Sequence, residues 1–225
     1  MEMDQIVKSM IRKSYEKGWS LSDSPIQIND DGKKTVHILG LFWMEFGFRK
    51  IKSRDDFSGD VWTMNDFYLA LRWLKQVDRV FQIHPYDVMM KIIADKKSKR
   101  CTGDMSHNLN RLSKEIMVTD PKFKEYFQRD ILMLDYKYLH EKYETLEFGQ
   151  TLDYMILQAV EEGYERICLS GVYLQNDDHI KFCRSLIKTI DHVRGLGIEV
   201  QFDWYDEIAK IKNDKTERYL DIFYK

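Results

Sequence analysis

Four short stretches of the chain gather side chains that can do chemistry. The densest is Asn176-Asp177-Asp178-His179, a few residues after Ser170-Gly171-Val172-Tyr173. Two carboxylates beside an imidazole suit a general base and the partner that holds its tautomer. The same residues also suit a helix start, where Asn and Asp cap and acids meet the positive end of the dipole. Both readings stay open for Asp177, Asp178 and His179. His84-Pro85 is the second stretch: a histidine followed by proline can face a site as donor or proton carrier, or be held by backbone. In Asn65-Asp66 one side chain serves as a helix cap, and Asn65 can then offer its amide to a ligand. Gly40-Leu41-Phe42-Trp43 is the fourth; its glycine permits close approach of a phosphate or ribose, and equally a plain tight turn.

Several chemistries lack their signatures. No GxGxxG or Walker-type Gly-Lys-Ser/Thr is present. No GxSxG elbow supports a serine nucleophile. The cysteines Cys101, Cys168 and Cys183 form no CxxC pair, and the spacing around His179 matches no metal signature. No metal and no resident cofactor are expected.

Elements that would position these residues follow from periodicity. Thr35–Leu39, Asp60–Met64, Arg79–Ile83, Arg166–Leu169 and Ile198–Phe202 read as strands, and Glu115–Val118 as a shorter one. Their apolar runs do not alternate, as expected for strands buried on both faces. Residues 66–75, 86–94, 151–162 and 178–194 read as helices, with a further helix near 136–144. Thr151 is the expected cap of the third, and Gly163 its stop. An amphipathic helix is expected over 4–17, a turn-rich loop to residue 33 and a helical tail over 205–225. Residues 95–111 read as a long polar loop carrying Lys96, Lys97, Lys99 and Arg100, which suits either a polyanion or a solvated surface. Strand–helix–strand alternation predicts an α/β fold, Rossmann-like, with a mostly parallel sheet and flanking helices. One domain over 1–225 is expected.

Composition narrows the class. Hydrophobic residues are 44% and charged residues 32% of the 225, enough apolar material for a core. A net charge of −2 argues against a general nucleic-acid coat but leaves local basic patches open. Widely spaced cysteines fit a reduced, cytoplasmic compartment. No stretch reads as a secretory signal or a membrane span, so no membrane partner is expected.

Two longer stretches carry a resemblance. GDVWTMNDFYLALRWLKQVDRVFQIHP (59–85) and FGQTLDYMILQAVEEGYERICLSGVYL (148–174), with RGLGIEV (194–200), resemble Rossmann-like proteins carried by tailed phages. The second stretch is also similar to part of the bacterial sialyltransferases that use a CMP-sugar. There a glycine loop, an Asn after the second strand and a Thr-Ser-Gly helix start hold the nucleotide. The resemblance implies the same for Gly40 and Leu41, for Asn65 and for Thr151. This chain has GLFWMEFG where that family has GxGPS, and Gln150-Thr151-Leu152 where it has Thr-Ser-Gly. What it implies is a glycosyltransferase-type reaction with a nucleotide-sugar donor as co-substrate. The acceptor would be a hydroxyl, in a phage setting a hydroxymethylated base of DNA. A non-catalytic nucleotide- or nucleic-acid-binding protein and an interaction protein with a vestigial site are the competing classes. Because ligands of open parallel sheets bind beyond the strands' carboxyl ends, Gly40, Asn65, His84, Thr151 and Gly171 are expected around one cleft.

Overall fold

The computed structural model describes residues 31–40, 54–65, 76–94, 105–170 and 180–202. The expected helices over 4–17 and 66–75 and the tail over 205–225 lie outside the described residues.

Among the described residues, seven strands form one sheet. They are β1 (Thr35–Leu39), β2 (Asp60–Met64), β3 (Val77–Gln82), β4 (Ser113–Val118), β5 (Leu132–Met133), β6 (Arg166–Ser170) and β7 (Glu199–Phe202). Every neighbouring pair is parallel, so the sheet is wholly and not only mostly parallel. The spatial order is β5-β4-β3-β2-β1-β6-β7. The chain thus winds outward from β1 to β5, then crosses back to the other flank of β1. That reversal between β1 and β6 is the topological switch point of the strand order.

Six described helices accompany the sheet: α1 (Tyr86–Ala94), α2 (Met105–Leu112), α3 (Phe123–Phe127), α4 (Tyr136–Lys142), α5 (Thr151–Glu161) and α6 (Ile180–Gly195). Residues of the inner strands enter two separate cores. Val36, Ile38, Trp62, Met64 and Phe81 pack with Leu152, Met155 and Ile156 of α5 and with Leu186, Ile190 and Val193 of α6. Leu39, Val61, Val80 and Ile116 pack with Met89, Leu109, Leu112, Phe123 and Phe127 of α1 to α3. Burial on both faces is why β1 and β3 carry no exposed residue at all. Trp62 anchors the first core, with the Phe81 and Tyr164 rings at 5.1 and 5.2 Å and the Arg79 guanidinium 4.6 Å from its centroid.

The two ends of the strands differ in chemistry. At the amino ends lies a lattice of ion pairs. Asp78 accepts from Arg54 at 2.8 Å, from Lys114 at 2.6 Å and from the Val61 N–H at 2.8 Å. Burial works against its charge, but these donors outweigh it and hold the carboxyl below the usual range. Arg79 joins Glu115 at 2.6 Å and also Glu162, while Arg166 pairs with Asp31 and, at 3.0 Å, with Glu199. Strands β2, β3, β4, β6 and β7 are thereby tied at one end.

Three expectations need correction. Residues 105–112 are helix, where a loop over 95–111 was expected. Met105, Leu109 and Leu112 are buried at i, i+4 and i+7, but the polar residues between them obscure the period. Two of those polar residues reach α3: Ser106 donates to the Tyr126 carbonyl at 3.0 Å and Asn110 to that of Phe127 at 2.8 Å, serving the carbonyls at the end of α3. Thr151 is the first residue of α5 and not its cap. Gln150 caps instead, in a reciprocal box with Asp153. Finally, α3 and β5 precede α4 where no element was expected; elements of five and two residues fall below any readable period.

Gly59 opens β2 with φ at +103°. A Cβ there would collide with the Thr35 carbonyl of β1. Gly59→Ala should cost at least about 1–3 kcal/mol, the usual range for a strained backbone position. Urea denaturation checks this; an unchanged midpoint would mean that the turn can relax.

Candidate functional site

Among the described residues, the carboxyl ends of the strands carry mainly uncharged hydrogen-bonding groups, together with Asp120 and one long ion pair, Lys122 with Asp87 at 3.7 Å. Hydroxyls tie the strand ends together: Thr63 donates to the Leu39 carbonyl at 3.0 Å, and Thr119 to that of Ile83 at 3.1 Å. Asp120, just after β4, accepts the Tyr86 N–H at the start of α1 at 3.3 Å. Strand ends β1 and β2, and likewise β3 and β4, are thus clamped before the chain leaves the sheet.

Asn65 ends β2 in the left-handed region, with φ of +49°. Asn is among the few non-glycine residues that accept this conformation. Its Oδ1 lies 3.0 Å from Nδ1 of His84, beyond the end of β3. Since an amide oxygen only accepts, Nδ1 carries the hydrogen, and in the neutral ring Nε2 carries the lone pair. The amide's other end faces Thr151 Oγ1 at 3.5 Å, the outer limit of a hydrogen bond. An amide, an imidazole and a hydroxyl from β2, β3 and the start of α5 therefore converge at one point of the edge. Gln82, fully buried at the end of β3, places Nε2 3.5 Å from the same Nδ1. Its Oε1 has no hydrogen-bond partner among the described residues.

Gly40 follows β1 at this same edge and is buried. The remaining expected residues, Leu41, Gly171, Asp177, Asp178, His179 and the basic group Lys96, Lys97, Lys99 and Arg100, lie outside the described residues. Sequence reasoning missed Gln82, a polar end to an apolar strand. It also missed Asp153, though the Gln150–Asp153 spacing of a capping box was there to be read.

Asp153 is buried on α5, and it forms the far side of the turn that presents Thr151. It accepts from the N–H groups of Gly149 and Gln150 at 2.8 and 3.0 Å. Ser185 and Thr189 of α6 donate to it at 2.9 and 3.3 Å. Burial pushes its carboxyl up to about 6 despite these four donors. His37, in the middle of β1, is a fully buried titratable group of the sheet. Burial pushes its imidazole down to about 4, although Nε2–H donates to the Ser58 carbonyl at 2.9 Å.

Among the described residues no group of His, Cys, Asp and Glu is arranged to hold a metal ion, and no helix is long and apolar enough to cross a membrane.

The chain is thus a doubly wound parallel α/β protein with a polar cluster at its carboxyl edge. No protein-family model and no curated protein matches the sequence. Solved structures align at low similarity. The sialyltransferase CstII from Campylobacter jejuni, in complex with the substrate analogue CMP-3FNeuAc, aligns with a TM-score of 0.46 at 20% identity, over 75% of this chain and 79% of that one. CST-II with a trisaccharide acceptor and CMP gives 0.46 at 17% identity, over 75% and 80%. The monofunctional α-2,3-sialyltransferase Cst-I of the same organism gives 0.39 at 18%, over 67% and 59%. Such likeness transfers no residue role.

The two shifted groups give opposite pH dependences. Between its ordinary 3.8 and about 6, Asp153 holds a proton in the folded protein that the unfolded chain has released, so its contribution to stability falls as pH rises. Between about 4 and its ordinary 6.5, His37 refuses a proton that the unfolded chain binds, so its contribution is lost as pH falls. Asp153→Asn removes the first contribution alone. Its stability should therefore drop more steeply than wild type on acidification through that shared window, by up to about 1.4 kcal/mol per pH unit. Urea melts at stepped pH measure the difference, and parallel curves for the two proteins would contradict it.

Proposed function

We propose that the carboxyl edge holds a nucleotide sugar and transfers the sugar to a hydroxyl acceptor. The observation that carries this reading is the convergence of Asn65, His84 and Thr151 from three separate elements. Two of these, Asn65 and Thr151, are the positions that the sequence resemblance to CMP-sugar-dependent sialyltransferases implies for nucleotide contact. The stretches 59–85 and 148–174 that bear the wider resemblance also contain the ends of β2 and β3 and the start of α5.

In this reading the Asn65 amide and the Thr151 hydroxyl orient the nucleotide, and the N–H groups of the first turn of α5 favour its phosphate. His84, its Nδ1–H held by Asn65, donates to the departing phosphate through Nε2 when the ring is protonated. The acceptor oxygen forms a bond to the anomeric carbon as the bond from that carbon to the phosphate oxygen breaks. The electron pair leaves with the phosphate, and the acceptor's proton passes to a base. Asp178 and His179, with Asp177 as orienting partner, are the proposed base group, since they open the segment leading into α6 and follow β6. The proposed acceptor is a hydroxymethylated base in DNA, approached through Lys96, Lys97, Lys99 and Arg100.

A panel of nucleotides and nucleotide sugars, with and without hydroxymethylated DNA, tests the reading. Wild type should bind a cytidine nucleotide, and Asn65→Ala or His84→Ala should weaken that binding about tenfold, or about 1.4 kcal/mol. Asp178→Asn or His179→Ala should lower turnover at least about tenfold with little change in affinity, the pattern of a base acting in the transition state. Binding without turnover would point to a nucleotide-sequestering protein, and no binding would remove the reading. Replacing all four basic residues by alanine should weaken DNA binding and flatten its salt dependence. Unaltered DNA affinity would take nucleic acid off the partner list.

A further inference from the structure

We infer that Asp153 is a positioning residue for the carboxyl-edge site, locking the turn that presents Thr151 to helix α6. The inference rests on the reading of Asn65, His84 and Thr151 as that site.

Asp153 does more than a helix cap requires. Gln150 and Asp153 already satisfy the start of α5 by their reciprocal box. The carboxylate goes on to accept from Ser185 and Thr189, two hydroxyls spaced i, i+4 on one face of α6, and both are buried. That face is otherwise apolar, with Leu186, Ile190 and Val193 in the core. A buried carboxylate is costly to keep beside an apolar core, and a serine or asparagine would cap the helix without that cost. What the carboxylate supplies is a rigid four-donor junction between two elements. On one side is the Gly149–Gln150 backbone, one residue from Thr151 and from there in reach of Asn65 and His84. On the other is α6, which begins at Ile180, next in sequence to His179. Asp153 therefore sets the distance between the nucleotide-facing turn and the helix that follows the proposed base group. Its effect on chemistry passes through Thr151 and α6, without contact to substrate.

The test uses the full chain with 15N-labelled histidine. Two variants are compared with wild type: Asp153→Asn, and Ser185→Ala with Thr189→Ala, which keeps the capping box and cuts only the link to α6. The imidazole signals of His84, assigned by their loss in His84→Gln, report the site without any ligand. Titration with CMP by calorimetry, well below each variant's melting temperature, reports nucleotide affinity. Both variants should shift the His84 signals while leaving those of His37, on the opposite core, in place. If wild type binds CMP, both should also weaken it about tenfold. Unmoved His84 signals in both variants, with only the melting temperature lowered, would overturn the inference and leave Asp153 a structural cap. Should Asp153→Asn fail to fold, the double variant decides alone. Shifted His84 signals in a protein that binds no CMP would uphold the junction and remove the nucleotide reading instead.

Discussion

All seven strands point the same way, and that single constraint organises the molecule. A parallel strand cannot return to its neighbour by a tight turn, so each crossover carries the chain back past the sheet before the next strand begins. Both faces become covered, and apolar residues of the inner strands enter both cores. Most polar residues of the strands then lie near the two ends of the sheet, with His37 of β1 between them. The ends are not equivalent, because each strand enters at one and leaves at the other.

The two ends have been used for different purposes. At the amino ends, charges neutralise one another in short ion pairs around Asp78, Arg79 and Arg166. Such a lattice holds strands in register but leaves little charge available for a ligand. At the carboxyl ends the groups are an amide, an imidazole and hydroxyls, whose hydrogen bonds can be exchanged for those of a bound molecule at modest cost. Asn65 shows the transition most clearly. Its left-handed backbone ends β2 abruptly and turns an amide sideways onto His84. A residue that continued the strand would have carried its side chain into one of the cores.

Helix α5 links this edge to the rest of the fold. Its apolar residues Leu152, Met155, Ile156 and Ala159 fix it on the sheet, while its first turn reaches the polar cluster. Four hydrogen bonds, two from backbone and two from α6, offset only part of the cost of burying Asp153 beneath that turn. Movement of α6 against the sheet would therefore be felt at Thr151.

From sequence alone, the strong periods determined the architecture. The runs at 35–39 and 60–64 are strands with those bounds, and the helix expected over 151–162 is found at 151–161, because unalternating apolar runs and a 3.6-residue stripe each admit one good solution. The strand alternation also made a parallel sheet legible, and with it the edge at which a candidate site is to be sought. Where the period is short or masked, only the tertiary structure decided. Helix α2 is hidden in sequence because its polar residues satisfy carbonyls of α3, a partner many positions away. The pairing of Asn65 with His84 and Thr151 spans 19 and 86 residues, distances over which spacing carries no signal. So does the junction at Asp153, whose donors on α6 lie 32 and 36 residues away. Local pattern fixes what a segment becomes, since a residue's nearest neighbours along the chain set its backbone choices. Which polar groups meet depends on strand order, and strand order is set by packing across the whole sheet.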